Sequence, residues 1–464
     1  MNKRLIISFS ILSLFLSTLI IPANAVAKAG TKCNKAGITS VVSGKTYTCV
    51  KSGKKLVWNK GISTTTSAQF TEVGTTVDVE SCKLLDARSN KLQPNNVGFP
   101  LQEDIIPATG NLNVIVIPVD FSDRPGGQLP SEYLIDQTNR MNEWYKFFSA
   151  NKVNLSFQIG KEWVRAPKAD SDYVVPKSVA NSSGVAVDVQ FKMAQDIITA
   201  SKNQFDFRKS SILFFYTPTI KSVDYDMGGR GVNLSTPDGS KNFFFWGGGA
   251  YHFDDRNLKS SIKTEKMWAF WIHEMLHSQG LALHSPANGS STGLHADQYG
   301  TSLAIDSWEL FRLGWIENPN VVCLDKSLGI NNKLILRPIE LGSKIARFAV
   351  IKLNSYEALV IESRRPTGYS KEWKPDQKGI LVYRIDVRND NDRSGESTGD
   401  TGNSPSFPKW AYLLSPDSKN LDKLTPYEIE RYILRTNQTV NYSNIRIKLL
   451  NSDADKDLVE VTKY

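Results

Sequence analysis

Five histidines occur in the whole chain, and four of them, His273, His277, His284 and His295, fall within 23 residues. The string HEMLHSQGLALH, His273 to His284, therefore constrains this stretch more than any other. Histidines at i and i+4 share one face of an α-helix, one turn apart, so both imidazoles reach one point only if the backbone is helical. KMWAFWIHEMLHSQ, Lys266 to Gln279, has no proline or glycine and predicts that helix. Met267, Trp268, Phe270, Trp271, Ile272, Met275 and Leu276 make it apolar on nearly every side, so it is expected to be buried. Gly280 follows as a C-cap, because glycine tolerates the left-handed conformation that stops a helix and reverses the chain. That reversal would swing a later residue back towards the two histidines.

The chemistry suited to this spacing is metal-assisted hydrolysis. A catalytic zinc takes neutral imidazole nitrogens and keeps one position open for water. Glu274, next to the first histidine, would place a carboxylate beside that water as general base. His273 and His277 are the expected ligands, and His284, beyond the glycine turn, is the first candidate for the third. His295 and Asp297, in GLHADQYG, are the alternatives, and Glu309 is a weaker one. The competing reading is a chance HExxH whose histidines merely pack, which the scarcity of histidine and the apolar helix both disfavour.

Residues 1–25 read as a signal peptide: Lys3 and Arg4, then the apolar run LIISFSILSLFLSTLII, then Ala23-Asn24-Ala25 as a cleavage site. An uncleaved anchor helix is the alternative. No other run is long enough to span a bilayer, so a secreted or surface-associated protein with no transmembrane anchor is expected. Four cysteines in an exported chain suggest two disulfides. Cys33 with Cys49 is the local pair, which leaves Cys82 with Cys323. Three connectivities are open in principle, and an inhibitory Cys82 thiolate on the metal is a further reading.

The net charge of +9 is unevenly spread. Residues 26–62 hold eight lysines and no acidic residue, so with Lys3 and Arg4 removed the rest of the chain is close to neutral. This small basic module, holding Cys33 and Cys49, would be drawn to anionic cell-envelope polymers, or would simply be a solvated charged face. Nucleic acid is not an expected partner of an exported protein. Residues 63–79 read as a polar linker.

The segment 80–325 is expected to be the catalytic domain. NVIVIPVDF and SILFFYTP read as strands, as does NLSFQIG, and SEYLIDQTNRMNEWYKFFSA reads as a helix. NFFFWGGGAYHF is expected as an edge strand that could pair with an extended peptide, or as an ordinary buried strand. His252 at its end is read as structural. Residues 326–464 are β-rich, with KLILRPI, ARFAVIKL, EALVIES and GILVYRI as short, mostly antiparallel strands. In the polar loop after them, Asp386, Asp390 and Asp392 offer carboxylates to Ca2+, against the simpler reading of a surface loop.

Taken in order, NVIVIPVDFSD, the HExxH helix with its glycine, SWELFRLGWI, EALVIESRRPTGYS and GILVYRID resemble the immune inhibitor A-like family of secreted bacterial metallopeptidases over roughly residues 80–390. The N-terminal module is similar to lysine-rich modules of exported actinobacterial proteins. The resemblance implies an α+β fold with a metzincin-like core, a mixed sheet plus active-site helix. It also implies zinc on His273 and His277, Glu274 as base, and protein or peptide substrates. There are two departures. The metzincin register HExxHxxGxxH falls on Leu283, so His284 comes one residue late. The methionine that such enzymes place beneath the metal is missing, since the last methionine of the chain is Met275. GLHADQYGTS stands where that turn belongs, which suggests either an altered floor or a second role for His295. Tyr299 is a nearby candidate for oxyanion stabilisation. Two other readings are a non-catalytic envelope-binding protein with a degenerate peptidase domain, and a zinc hydrolase of cell-wall peptides.

Overall fold

The computed structural model describes residues 27–42, 45–60, 62–63, 70–89, 95–102, 105–129, 131–173, 183–210, 212–217, 230–248, 266–282, 284, 286, 292–389, 409–416 and 429–464. The expected signal segment, His252, Asp390 and Asp392 lie outside these residues. The chain divides into two compact units, Met1–Phe70 and Thr71–Tyr464.

In the first unit, strands β1 (Thr39–Val42), β3 (Lys55–Trp58) and β4 (Ile62–Ser63) all pair antiparallel with β2 (Lys45–Ser52). Its core is small: Ala27, Cys33, Cys49 and Trp58 are buried, with Ile38, Val42, Tyr47 and Leu56 packed against them. A Cys33–Cys49 disulfide closes 16 residues of chain, a constraint that contributes about 3 kcal/mol on the chain-entropy estimate. Lys28, Lys32, Lys35, Lys51, Lys54, Lys55 and Lys60 are all exposed.

The second unit is mixed α and β, with four α-helices among the described residues. Its first sheet runs in the order β6-β5-β8-β10-β9. The strands are β5 (Gly110–Asp120), β6 (Val153–Ile159), β8 (Ile212–Thr217), β9 (Arg230–Ser235) and β10 (Lys241–Gly248). The short β7 (Val164–Arg165) pairs with the end of β5. Pairing is parallel except at β9. The residues of β5 and β8 are buried on both faces, which explains their unbroken apolar runs. Val114, Val116, Ile212 and Phe214 face one core, and Ile115, Ile117, Val119, Leu213 and Phe215 face another. The second of these cores is closed by helix α2 (Ser183–Ser201), through Met193, Ala194, Ile197 and Ile198. Helices α1 (Ser131–Phe148) and α3 (Met267–Ser278) contribute to the first.

One expectation changes here. The strand NFFFW is not at the sheet edge but lies inside, between β8 and β9. A tight turn at Pro237-Asp238-Gly239 folds β9 back against it, with Gly239 at φ +83°.

The C-terminal strands form two sheets. One has the order β11-β13-β14-β15-β16, using Val321–Asp325, Phe348–Lys352, Glu357–Arg364, Gly379–Asp386 and Ala411–Leu413. The other has the order β12-β19-β18-β17, using Asn331–Leu336, Asp457–Lys463, Ile445–Ser452 and Thr439–Tyr442. All pairs are antiparallel except β11 with β13. Alternation on β14 divides its neighbours: Leu359 and Ile361 face the second sheet, while Ala358 and Val360 face the core that holds α3. The helical layer thus lies between two sheets. Residues 71–79, expected to end a linker, join this unit instead, because Val73 bridges Lys333 and Val77 bridges Cys323.

A second disulfide joins Cys82 to Cys323 across 241 residues. With its sulfur in that bond and fully buried, Cys82 is not a thiolate available to a metal. Replacing Cys82 and Cys323 by serine should lower unfolding free energy by about 2–5 kcal/mol, measured by urea denaturation of the double variant against wild type.

Candidate metal centre

Helix α3 runs one residue short of the expected span at each end, with Lys266 and Gln279 as its caps. Lys266 makes no side-chain cap bond. The buried Gln137 of α1 serves instead, its Oε1 accepting from Trp268 N–H at 2.9 Å. Trp271 stacks on Phe214 of the sheet at 4.5 Å between centroids and 16° between planes. Every residue from Met267 to Ser278 is buried except Glu274 and His277, which are half-buried. The helix opens towards solvent only where its expected base and second ligand stand.

Gly280 has φ +93°, and a Cβ there would meet Ile105 at 3.0 Å and Leu101 at 3.2 Å. Leu281 N–H donates to Leu276 O and Gly280 N–H to His277 O, both at 3.1 Å, the paired bonds of a Schellman cap. Asn95 Nδ2 donates to His277 O at 2.7 Å and to Leu281 O at 2.6 Å, which ties the two sides of the turn together. Arg312 Nη2 reaches Gly280 O at 3.1 Å. Gln279 is held between Tyr145 Oη (2.8 Å) and Pro107 O (3.0 Å). Asn95, Tyr145, Gln279 and Arg312 were not singled out from the sequence, and no local motif marks them.

The turn returns His284 to the helix. His273 Nε2 lies 3.2 Å from His277 Nε2 and 3.2 Å from His284 Nε2. Among the described residues, these three histidines form the group whose donor atoms converge closely enough to hold a metal ion. His273 Nδ1 is 3.0 Å from Leu294 O and His277 Nδ1 is 3.4 Å from Leu281 O. A carbonyl only accepts, so each Nδ1 carries the hydrogen and each Nε2 keeps its lone pair for a cation. Burial, reinforced by the neighbouring His277, His284 and His295, holds His273 well below the usual histidine pKa. It is therefore neutral, the form a metal needs.

The alternative third ligands stand elsewhere. His295 is buried on the far side of His277, with its Nε2 3.2 Å from His277 Nδ1 rather than Nε2. Glu309, on helix α4 (Ser307–Arg312), makes a short hydrogen bond to His295 Nδ1. Burial pushes the Glu309 carboxyl upwards, and Arg312 opposes that shift. Asp297 accepts from Tyr299 N–H at 2.9 Å within its own turn, outside the three-histidine group. Asp386, considered for calcium, is instead engaged by guanidiniums: Arg388 Nε at 2.9 Å and Arg384 in a short contact.

A buried charge network supports the loop that carries His295. Arg364, at the end of β14, donates to Glu340 (2.8 Å), Glu362 (3.0 Å) and Thr292 O (2.6 Å). Burial works against its charge, but Glu340, Glu362 and Asp306 more than offset this and hold Arg364 protonated. Glu362 Oε2 also accepts from Ser307 N–H at 2.8 Å, and Tyr383 Oη accepts from Trp308 N–H at 3.0 Å, satisfying the first turn of α4.

No family model matches the chain, and no curated protein matches it. A solved structure of wild-type OgpA from Akkermansia muciniphila is similar at 13% identity, covering 60% of this chain and 75% of that one with a TM-score of 0.25.

Gly280→Ala should destabilise the protein by about 1–3 kcal/mol through the left-handed backbone alone, read as a lowered urea midpoint. Arg364→Ala should cost about 3–5 kcal/mol in the same measurement, since it leaves buried carboxylates without their counter-charge.

Proposed function

We propose that this chain is a secreted zinc-dependent endopeptidase, with His273, His277 and His284 as ligands and Glu274 as the general base. The observation that carries the reading is the convergence of the His273, His277 and His284 nitrogens, the first two on a buried helix that also carries Glu274. Zinc fits this donor set. Tetrahedral Zn–N bonds of about 2.05 Å separate two ligand nitrogens by about 3.3 Å, and the Nε2 pairs here stand at 3.2 Å. With the hydrogens on Nδ1, the Nε2 lone pairs of His273 and His277 face each other at 3.2 Å, an arrangement that a cation between them relieves. The five ordered segments that resemble immune inhibitor A-like peptidases support a metzincin-like assignment for the core, with His284 one residue late.

When bound, zinc supplies a Lewis acid and makes water acidic enough to ionise near neutral pH. The chain's own residues do the rest. Glu274 takes the water proton as oxygen attacks the peptide carbonyl carbon, and later delivers it to the amine as the C–N bond breaks. The Leu294 and Leu281 carbonyls keep His273 and His277 in the tautomer that faces the metal. The exposed lysines of the first unit favour anionic envelope polymers as the surface on which the enzyme works. No helix among the described residues is long and apolar enough to cross a membrane, and the disulfides suit an oxidising, extracellular setting.

The experiment compares zinc content and cleavage of an unfolded protein by wild type and Glu274→Ala. Wild type should hold one zinc and cleave, while the variant keeps zinc and loses about 10²–10⁴-fold in kcat. Stoichiometric zinc with no cleavage by wild type would overturn the endopeptidase reading. Cleavage confined to cell-wall peptides would redirect it to that substrate class.

A further inference from the structure

Four histidines meet at this site, yet three suffice for the converging group. The fourth, His295, is 1% exposed and lies behind His277, and Glu309, also 1% exposed, lies behind His295. We propose that Glu309 and His295 are positioning residues, a buried glutamate–histidine pair that locks His277 in its metal-binding tautomer and strengthens it as a donor. The inference rests on the three-histidine metal site proposed above.

His277 Nδ1 faces two neighbours, Leu281 O at 3.4 Å and His295 Nε2 at 3.2 Å. The carbonyl can only accept, so His277 Nδ1 holds the hydrogen and shares it between the two. His295 Nε2 then presents a lone pair to that hydrogen, which leaves Nδ1 as the nitrogen that carries the ring's own hydrogen. That nitrogen is in a short hydrogen bond with Glu309 Oε1, which accepts in this arrangement. The donors thus run one way, from His277 to His295 to Glu309. The reverse order, with the hydrogens on Glu309 and on His295 Nε2, would set two N–H groups face to face at 3.2 Å. An outer carboxylate linked through hydrogen bonds raises the basicity of a ligand imidazole and fixes its ring orientation.

The surroundings keep both residues in place. Leu294 N–H donates to Ala304 O at 2.7 Å, and Leu294 O meets His273 Nδ1, so His295 follows a residue fixed on both sides. Glu309 sits on α4, whose first N–H groups are held by Glu362 and Tyr383. His295 thereby acquires a role where a metzincin-like enzyme would present a methionine: it lies beneath a ligand rather than on the metal.

The test measures zinc affinity by competition with a chromophoric chelator, using the purified full chain. Glu309→Gln and His295→Phe should each weaken zinc binding by about 10–100-fold, with far-UV circular dichroism unchanged. His295→Gln, whose amide oxygen can still accept from His277, should recover part of the loss. Wild-type affinity in folded Glu309→Gln and His295→Phe would overturn the proposal. Where a variant fails to fold, ¹⁵N imidazole NMR of the zinc-loaded wild type decides instead. Hydrogens on Nδ1 of both His277 and His295 are expected, and a hydrogen on His295 Nε2 would overturn it. Wild type that binds no zinc would overturn the metal site and this inference together; wild type and variants that bind alike would overturn this inference alone.

Discussion

The reversal at Gly280 is the constraint on which the candidate centre depends. His284 lies seven residues beyond His277, and continued helix would carry it about 10 Å further along the axis, out of reach of a shared metal. A left-handed glycine with Schellman bonding brings it back within 3.2 Å of His273 instead. The turn sits against Leu101 and Ile105, whose side chains would have to give way to a Cβ at Gly280. Asn95 and Arg312 bond its carbonyls directly, so the third histidine is aimed by contacts from distant parts of the chain as much as by its own sequence.

The β-rich C-terminal part is structurally inseparable from that centre. Alternation along β14 sends Ala358 and Val360 into the helical core and then, in the same register, Glu362 and Arg364. These charges are buried because they do specific work: Glu362 satisfies the start of α4, and Arg364 pins the loop at Thr292. Such a network contributes modest net stability, since desolvation offsets the attraction. Its effect is geometric, since every partner has one satisfying position. Loop 292–306 and α4, which together carry His295 and Glu309, are held from this side.

Much of this was legible in the chain itself. The apolar runs of β5 and β8, the buried helix with its glycine stop, and the antiparallel C-terminal strands each follow from local pattern. Cys33 with Cys49 follows from proximity, and Cys82 with Cys323 by remainder. The position of NFFFW was not legible, because a run of aromatic residues is equally compatible with an edge or an interior strand until its neighbours are known. The fate of residues 71–79 was also hidden, because a polar segment can pair its backbone without any side-chain signal. Asp386 illustrates the same limit: its arginine partners at 384 and 388 are near in sequence, but their engagement depends on the strand end they share.

The sequence by itself determined which residues could form a metal centre, because HExxH on an apolar helix imposes its own geometry and glycine imposes the stop. It also determined the split between a basic, disulfide-held module and a nearly neutral larger unit. Only the tertiary structure showed which candidate converges with His273 and His277 into a group that could hold a metal. His284, His295, Asp297 and Glu309 all lie within reach along the chain, and their roles depend on which nitrogen or oxygen faces which neighbour. That is settled by packing between two sheets and by buried hydrogen bonds from residues far away in sequence, which leave His284 beside His273 and set His295 behind His277.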